Sequence, residues 1–204
     1  MPATGLHKLL VAQRSVIKAV LWLLALVPLL LLGISAVQQT LGPDPAEALA
    51  DQTGELALGW LCACLAITPL RLLTGSSAWL AFRRLLGLLA FFYACVHLLV
   101  VLVFLLGLDR ALLVDAFTRR PYITAGIAAW LCLLPLALTS THGWQRRLGR
   151  RWPVLHRLVY VAASLALLHV WWQVRSDYSE ALQFTAVLVA LVAIRLLYRK
   201  GRFI

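Results

Sequence analysis

The chain of 204 residues is 62% hydrophobic and only 13% charged, with a formal net charge of +11, against roughly 45–50% apolar residues in an ordinary soluble domain. Apolar runs long enough to cross a bilayer, about 20 residues each, use up nearly all of it, which excludes a soluble catalytic domain beside them. The positive charge would suit nucleic acid in a soluble protein, but here it is segregated along the chain as membrane topology requires, and no nucleic-acid partner is expected.

The first run, 16–37, follows Lys8 and Arg14 and holds Lys18 at its start. It exceeds the about 7–15 residues of a signal-peptide core and no A-x-A cleavage pattern follows it, so it reads as a retained span. Pro28 in its middle is tolerable where neighbouring helices re-satisfy freed backbone groups. Gly42-Pro43-Asp44-Pro45 marks a turn, and the second span, 55–73, ends at Ile67-Thr68-Pro69-Leu70-Arg71. A polar connection through Ser76-Ser77 leads to Arg83-Arg84 and the third span, 82–107. The fourth, 122–141, follows Arg120-Pro121, and a basic loop, 146–151, leads into the fifth, 153–174. The sixth is 178–198. No internal repeat stands out. The expected architecture is an all-α integral membrane protein, a bundle of six transmembrane helices forming one domain over 1–204.

All 8 acidic residues fall in alternate loops: Asp44, Glu47, Asp51 and Glu55, then Asp109 and Asp115, then Asp177 and Glu180. Of the 19 Lys and Arg, only Arg110, Arg119, Arg120 and Arg175 share those loops. The rest lie at the opposite ends, including the tail 195–202. Lys/Arg bias sets orientation, so both termini are expected in the cytoplasm. Cys62, Cys64, Cys95 and Cys132 lie within apolar runs without a C-x-x-C spacing and read as small core residues.

Three histidines, His97, His156 and His169, stand inside apolar runs. A polar ring at membrane depth is costly and marks a functional site by default, and imidazole is the usual protein ligand of heme iron. Counting about 1.5 Å per residue from the basic anchors puts His156 roughly 7–8 Å inside the cytoplasmic boundary. His169 lies about 9 Å from the outer boundary, and His97 about 20 Å in from Arg84. His97 and His169 therefore match in depth on different helices, as two ligands gripping one heme must. His156 and His169 stand about 140° apart on an ideal helix, so both face one partner helix only if that helix is locally distorted, for instance by a π-bulge. Near His156, Arg83, Arg84, Arg147 and Arg151 are candidates to hold heme propionates or a flavin phosphate, since guanidinium suits anions. His7 and His142 read as surface residues.

Several runs in order carry a resemblance: Thr53-Gly54, Ile67-Thr68-Pro69-Leu70, and Arg83-Arg84-Leu85-Leu86-Gly87-Leu88 leading to His97. Further along come Arg120-Pro121-Tyr122-Ile123-Thr124-x-Gly126, Thr139-Ser140-Thr141, Gln145-Arg146-Arg147-Leu148-Gly149-x-Arg151-Trp152 and Leu155-His156-x-x-Val159-Tyr160. They resemble the MsrQ family, formerly YedZ, of heme-binding membrane subunits, within a wider ferric-reductase-like group that includes the NADPH oxidases. The resemblance implies a multi-pass protein of the bacterial inner membrane carrying b-type heme, one or two, and an FMN. Its heme histidines map onto His97, His156 and His169. The wider group commonly has two ligand histidines on the third helix, where this chain offers only His97. The implied role is to pass electrons from a cytoplasmic flavin reductase or quinol to a periplasmic molybdopterin subunit, MsrP, which reduces methionine sulfoxide in oxidised proteins. Catalysis would rest on that partner, with no catalytic residue here. The alternative is a self-contained ferric or quinone reductase with a small-molecule acceptor. The chain has no G-x-G-x-x-G fingerprint, so a nicotinamide must be read by another protein.

Overall fold

The acidic segment after the first span is helix, not loop. In the computed structural model, which describes residues 5–200, Asp44 accepts a hydrogen bond from the Glu47 amide at 3.0 Å and Pro45 occupies the first helical turn. A carboxylate cap and an early proline are both favourable helix starts, so α3 (Pro45–Thr74) begins ten residues before the apolar run does. Ahead of it lie α1 (Gly5–Ala12) and α2 (Arg14–Val37). Then come α4 (Leu80–Val100), α5 (Arg110–Arg119), α6 (Pro121–Leu138), α7 (His142–Leu148), α8 (Trp152–Leu155), α9 (Leu158–Gln173) and α10 (Ser179–Lys200). Among the described residues there is no strand.

Among the described residues, five helices are long and apolar enough to cross a membrane. A sixth span exists if the bent pair His142–Leu155 and Leu158–Gln173, which meet at 48°, counts as one. The third span runs on past α4 into a π-helical turn, Val101–Leu105, closed by the Leu106 amide on the Val101 carbonyl at 3.0 Å. The distortion expected on the fifth span is there as well, but as a break rather than a bulge. At 156–157 the backbone tightens: the Arg157 amide bonds the Val154 carbonyl at 3.1 Å, and the Tyr160 amide bonds Arg157 at 3.0 Å.

Two helix pairs form the frame, α3 along α4 and α6 along α9, with α10 packed on α3 and α9 and α2 on the flank of α4. Their shared core holds Leu58, Leu61 and Leu65 of α3, Ala90 of α4, Leu133 and Leu136 of α6, and Val159, Ala162 and Ala163 of α9. Alanines at these crossings let the backbones approach closely, the usual packing device in a bilayer, where association gains nothing from hiding apolar surface from water. The outward faces stay apolar: Leu24, Leu30 and Leu31 of α2 are more than half exposed, as lipid-facing residues must be.

A proline inside a membrane helix leaves a carbonyl without its helical donor, and a neighbouring helix can supply one. Beside Pro28, the fully buried Tyr93 donates its hydroxyl to the Ala25 carbonyl. Pro69 has no amide hydrogen for the carbonyl of Leu65 four residues earlier, and Arg195 of α10 donates to that carbonyl instead. Arg195, counted in the sequence with the basic tail 195–202, therefore turns inward.

Candidate functional site

His97 and His169 come together between α4 and α9, with ring centroids 6.1 Å apart and planes at 77°. Each ring is held in the same way. His97 Nδ1–H donates to the Ala50 carbonyl at 2.9 Å, and His169 Nδ1–H donates to the Tyr122 carbonyl at 2.6 Å. A carbonyl only accepts, so the proton sits on Nδ1 and the lone pair is left on Nε2. One turn beyond each carbonyl stands a glycine whose missing side chain makes room for the ring. A Cβ on Gly54 would lie 3.3 Å from His97 Nδ1, and one on Gly126 would lie 2.9 Å from His169 Nδ1.

These are the hallmarks of metal-ligating histidines, whose second nitrogen is oriented by a backbone carbonyl that also raises ligand basicity. A metal bound at about 2 Å by one nitrogen of each ring puts the ring centroids roughly 6 Å apart, close to the observed 6.1 Å. The pair fits an iron porphyrin clasped between α4 and α9. Around it the acidic end of the bundle is tied together: Gln173 at the end of α9 donates to Asp51 of α3 at 3.2 Å, and Trp171 donates to Thr185 of α10 at 2.9 Å.

His156 stands apart, at the joint between α8 and α9. Its ring stacks on Trp152, with centroids 3.9 Å apart. Its Nε2 lies 3.2 Å from the Thr139 hydroxyl, which spends its own hydrogen on the Pro135 carbonyl at 2.6 Å. Nε2 therefore donates, and Nδ1 is the acceptor of the neutral ring. Trp152 Nε1 closes the cluster by donating to the Thr139 carbonyl at 2.9 Å. Beside it a cavity of about 190 Å³ is lined by His156, Trp152, Arg83, Arg84, Cys64 and Gln145 among others, with no carboxylate. Two guanidinium groups without a carboxylate suit an anion. The volume is below the about 300–1,000 Å³ of a drug-sized ligand site, so it fits a phosphate or carboxylate end rather than a whole flavin. No second imidazole lines it.

Of the arginines singled out from the sequence, Arg83 and Arg84 line this cavity and Arg147 and Arg151 do not. Arg147 instead lies over the Trp144 ring, 5.6 Å from its centroid, and Arg151 is exposed in a 3-10 turn, Gly149–Arg151. His142 is exposed at the start of α7. His7, expected at the surface, is half-buried and lies 3.1 Å from the Ser76 hydroxyl. The four cysteines are free thiols, Cys62 and Cys64 buried and the other two half-buried.

The chain is similar in sequence to known proteins. Residues 53–167 match the family described as ferric reductase like transmembrane component. The protein-methionine-sulfoxide reductase heme-binding subunit MsrQ of Xanthomonas euvesicatoria pv. vesicatoria is 47% identical over 177 residues, covering 84% of this chain and 81% of that protein. The subunit of the same name from Ralstonia nicotianae is 44% identical over 182 residues, covering 88% and 84%. The chain belongs to the MsrQ family. No solved structure matches it. The stretch matching the ferric-reductase-like component opens at Thr53, beside the glycine that seats His97, and takes in His97 and His156.

Seen as an MsrQ fold, the site also reveals a repeat that sequence reading missed. Ala50 and His97 are 47 positions apart, as are Tyr122 and His169. A shift of 72 residues thus carries Ala50, Gly54 and His97 onto Tyr122, Gly126 and His169. The same shift carries Arg84 onto His156, and these two line the cavity at the basic end. The signal was a glycine four residues after each bonded carbonyl, invisible until the carbonyl partners are known.

Proposed function

We propose that this MsrQ family member is an electron-transfer subunit. It accepts electrons from a cytoplasmic flavin or quinol donor and passes them to a periplasmic molybdopterin-containing methionine-sulfoxide reductase, MsrP. The observation that carries the reading is the His97–His169 pair, oriented through Nδ1 with both Nε2 lone pairs free for one iron. When bound there, b-type heme supplies a one-electron couple at the acidic end of the bundle. The chain's own residues do the rest. The Ala50 and Tyr122 carbonyls fix the rings, Gly54 and Gly126 seat them, and the apolar core of α3, α4, α6 and α9 keeps water from the path between the two ends. At the basic end, Arg83 and Arg84 hold the phosphate of an FMN or the propionates of a second heme, with His156 as the neighbouring imidazole.

The test is stopped-flow reduction of the purified holoprotein in nanodiscs, followed by mixing with oxidised MsrP. Oxidation by MsrP, at a rate raised by methionine sulfoxide, is the expected result. Oxidation by ferric citrate or a quinone, with none by MsrP, would make the chain a self-contained reductase instead. In the same assay His156→Ala should slow reduction by the cytoplasmic donor while dithionite still reduces the heme of the His97–His169 pair. Wild-type kinetics in that variant would reduce His156 to a packing residue worth about 1 kcal/mol through its bond to Thr139.

The orientation in this reading, both termini in the cytoplasm, rests on the segregated charges. A phosphatase fused after Ile204 should be inactive and a fluorescent reporter at the same site bright. Phosphatase activity there would invert the assignment of donor and acceptor ends.

A further inference from the structure

Arg195 is a charged side chain inside the membrane-spanning part of α10 (Ser179–Tyr198), and among the described residues it pairs with no carboxylate. Its two terminal nitrogens reach two other helices. One donates to the Leu65 carbonyl of α3, which Pro69 leaves without a helical donor. The other donates to the Tyr160 hydroxyl of α9 at 2.9 Å, and the guanidinium lies over the Tyr160 ring, 5.2 Å from its centroid. Leu65 is 4% exposed, so without Arg195 its carbonyl would be left dry and unpaired.

Both attachment points stand directly behind the cavity at the basic end. Leu65 adjoins Cys64, a residue of its α3 wall, and Tyr160 adjoins Val159, a residue of its α9 wall. Tyr160 also opens α9 just past the break at 156–157, where its amide bonds Arg157 rather than a residue four back. The helical ladder is interrupted there, and the bond from Arg195 to Tyr160 fixes the first turn of α9 on the far side of the break. A planar fork with donors facing two acceptors does what the compact ammonium of lysine does poorly.

We propose that Arg195 is a positioning residue for the basic-end cavity, locking its α3 wall to its α9 wall through the carbonyl that Pro69 frees. The inference rests on reading that cavity as the donor-side site, and its test does not need that reading to hold.

Cys64 is the reporter, because it lies in the cavity wall and its Sγ contacts the Arg83 carbonyl at 3.4 Å. Heme-loaded wild type, Arg195→Ala, Arg195→Lys, Pro69→Ala and the double variant Pro69→Ala/Arg195→Ala are treated with N-ethylmaleimide, and each cysteine is followed by mass mapping. Removing the donor to a buried carbonyl should raise local opening, and with it Cys64 modification, about tenfold. Cys95 and Cys132 and the heme absorbance should stay as in wild type, which a general loosening would not allow. In the Pro69→Ala background, alanine supplies the missing amide, so the effect of losing Arg195 should shrink severalfold. Arg195→Lys should fall between wild type and alanine.

An unchanged Cys64 rate in Arg195→Ala, or an equal acceleration with proline and with alanine at position 69, would overturn the proposal. FMN titrated by flavin fluorescence separates the two readings. Lost affinity in Arg195→Ala links the lock to the ligand. Absence of FMN binding in wild type, with the Cys64 pattern intact, removes the flavin reading and leaves the lock standing.

Discussion

Alanine at His97 or at His169 should leave the purified protein nearly colourless, whereas wild type shows a b-type Soret band that shifts on dithionite reduction. Among the described residues, these two rings are the only imidazoles the fold brings together. Losing one leaves the iron with a single protein ligand and an open face. The second ring cannot move to compensate, because its Nδ1 is tied to a backbone carbonyl at 2.9 Å for His97 or 2.6 Å for His169. Heme per protein by pyridine hemochrome, with the spectrum of any heme retained, is the measurement. Full heme content with an unshifted band in either variant would refute the assignment.

The second large effect is expected at a residue that never touches the iron. A Cβ on Gly126 would stand 2.9 Å from His169 Nδ1 and 3.1 Å from Cε1, closer than such contacts tolerate. The ring can retreat only by giving up its bond to Tyr122, which costs about 1 kcal/mol or more, several-fold to tenfold in affinity. Gly126→Ala should therefore lower heme occupancy, and Gly126→Val, with two more carbons in the same notch, should abolish it. Gly54→Ala is the internal control. Its Cβ would meet the His97 ring at 3.3 Å, so a shift of a few tenths of an ångström suffices and most heme should remain. Equal occupancy in Gly126→Val and wild type would mean that the notch has no part in seating the ring.

The spans were legible because a bilayer demands long apolar runs, and the histidines because a polar ring inside such a run is too costly to keep without a use. That His97 and His169 stand close together was legible through depth counted along their helices. Other features were hidden by residues with two meanings. The acidic stretch 44–55 looks like a loop, yet Asp44 caps a helix and Pro45 begins it. Arg195 near the end of a span looks like an anchor, and only the position of Pro69 on another helix accounts for its inward turn. The repeat escaped because it consists of a few positions 72 residues apart in a background of interchangeable apolar side chains. Spacing could suggest that His156 and His169 need a distorted helix; it could not place the break at 156–157.

That break divides labour mechanically. An unbroken helix is stiff, and a push on one end is felt at the other. Where the ladder gives way to short-range bonds at Arg157 and Tyr160, the chain is compliant, and bending concentrates there. A protein pressing on the arginine-rich loop ahead of α8 can thus tilt α7 and α8, and shift His156 with them, while α9 stays put. His169, thirteen residues further on and bonded to Tyr122, is insulated from that load. In the proposed relay, such a joint would let the basic loop yield to a partner while His169 keeps its bond to Tyr122.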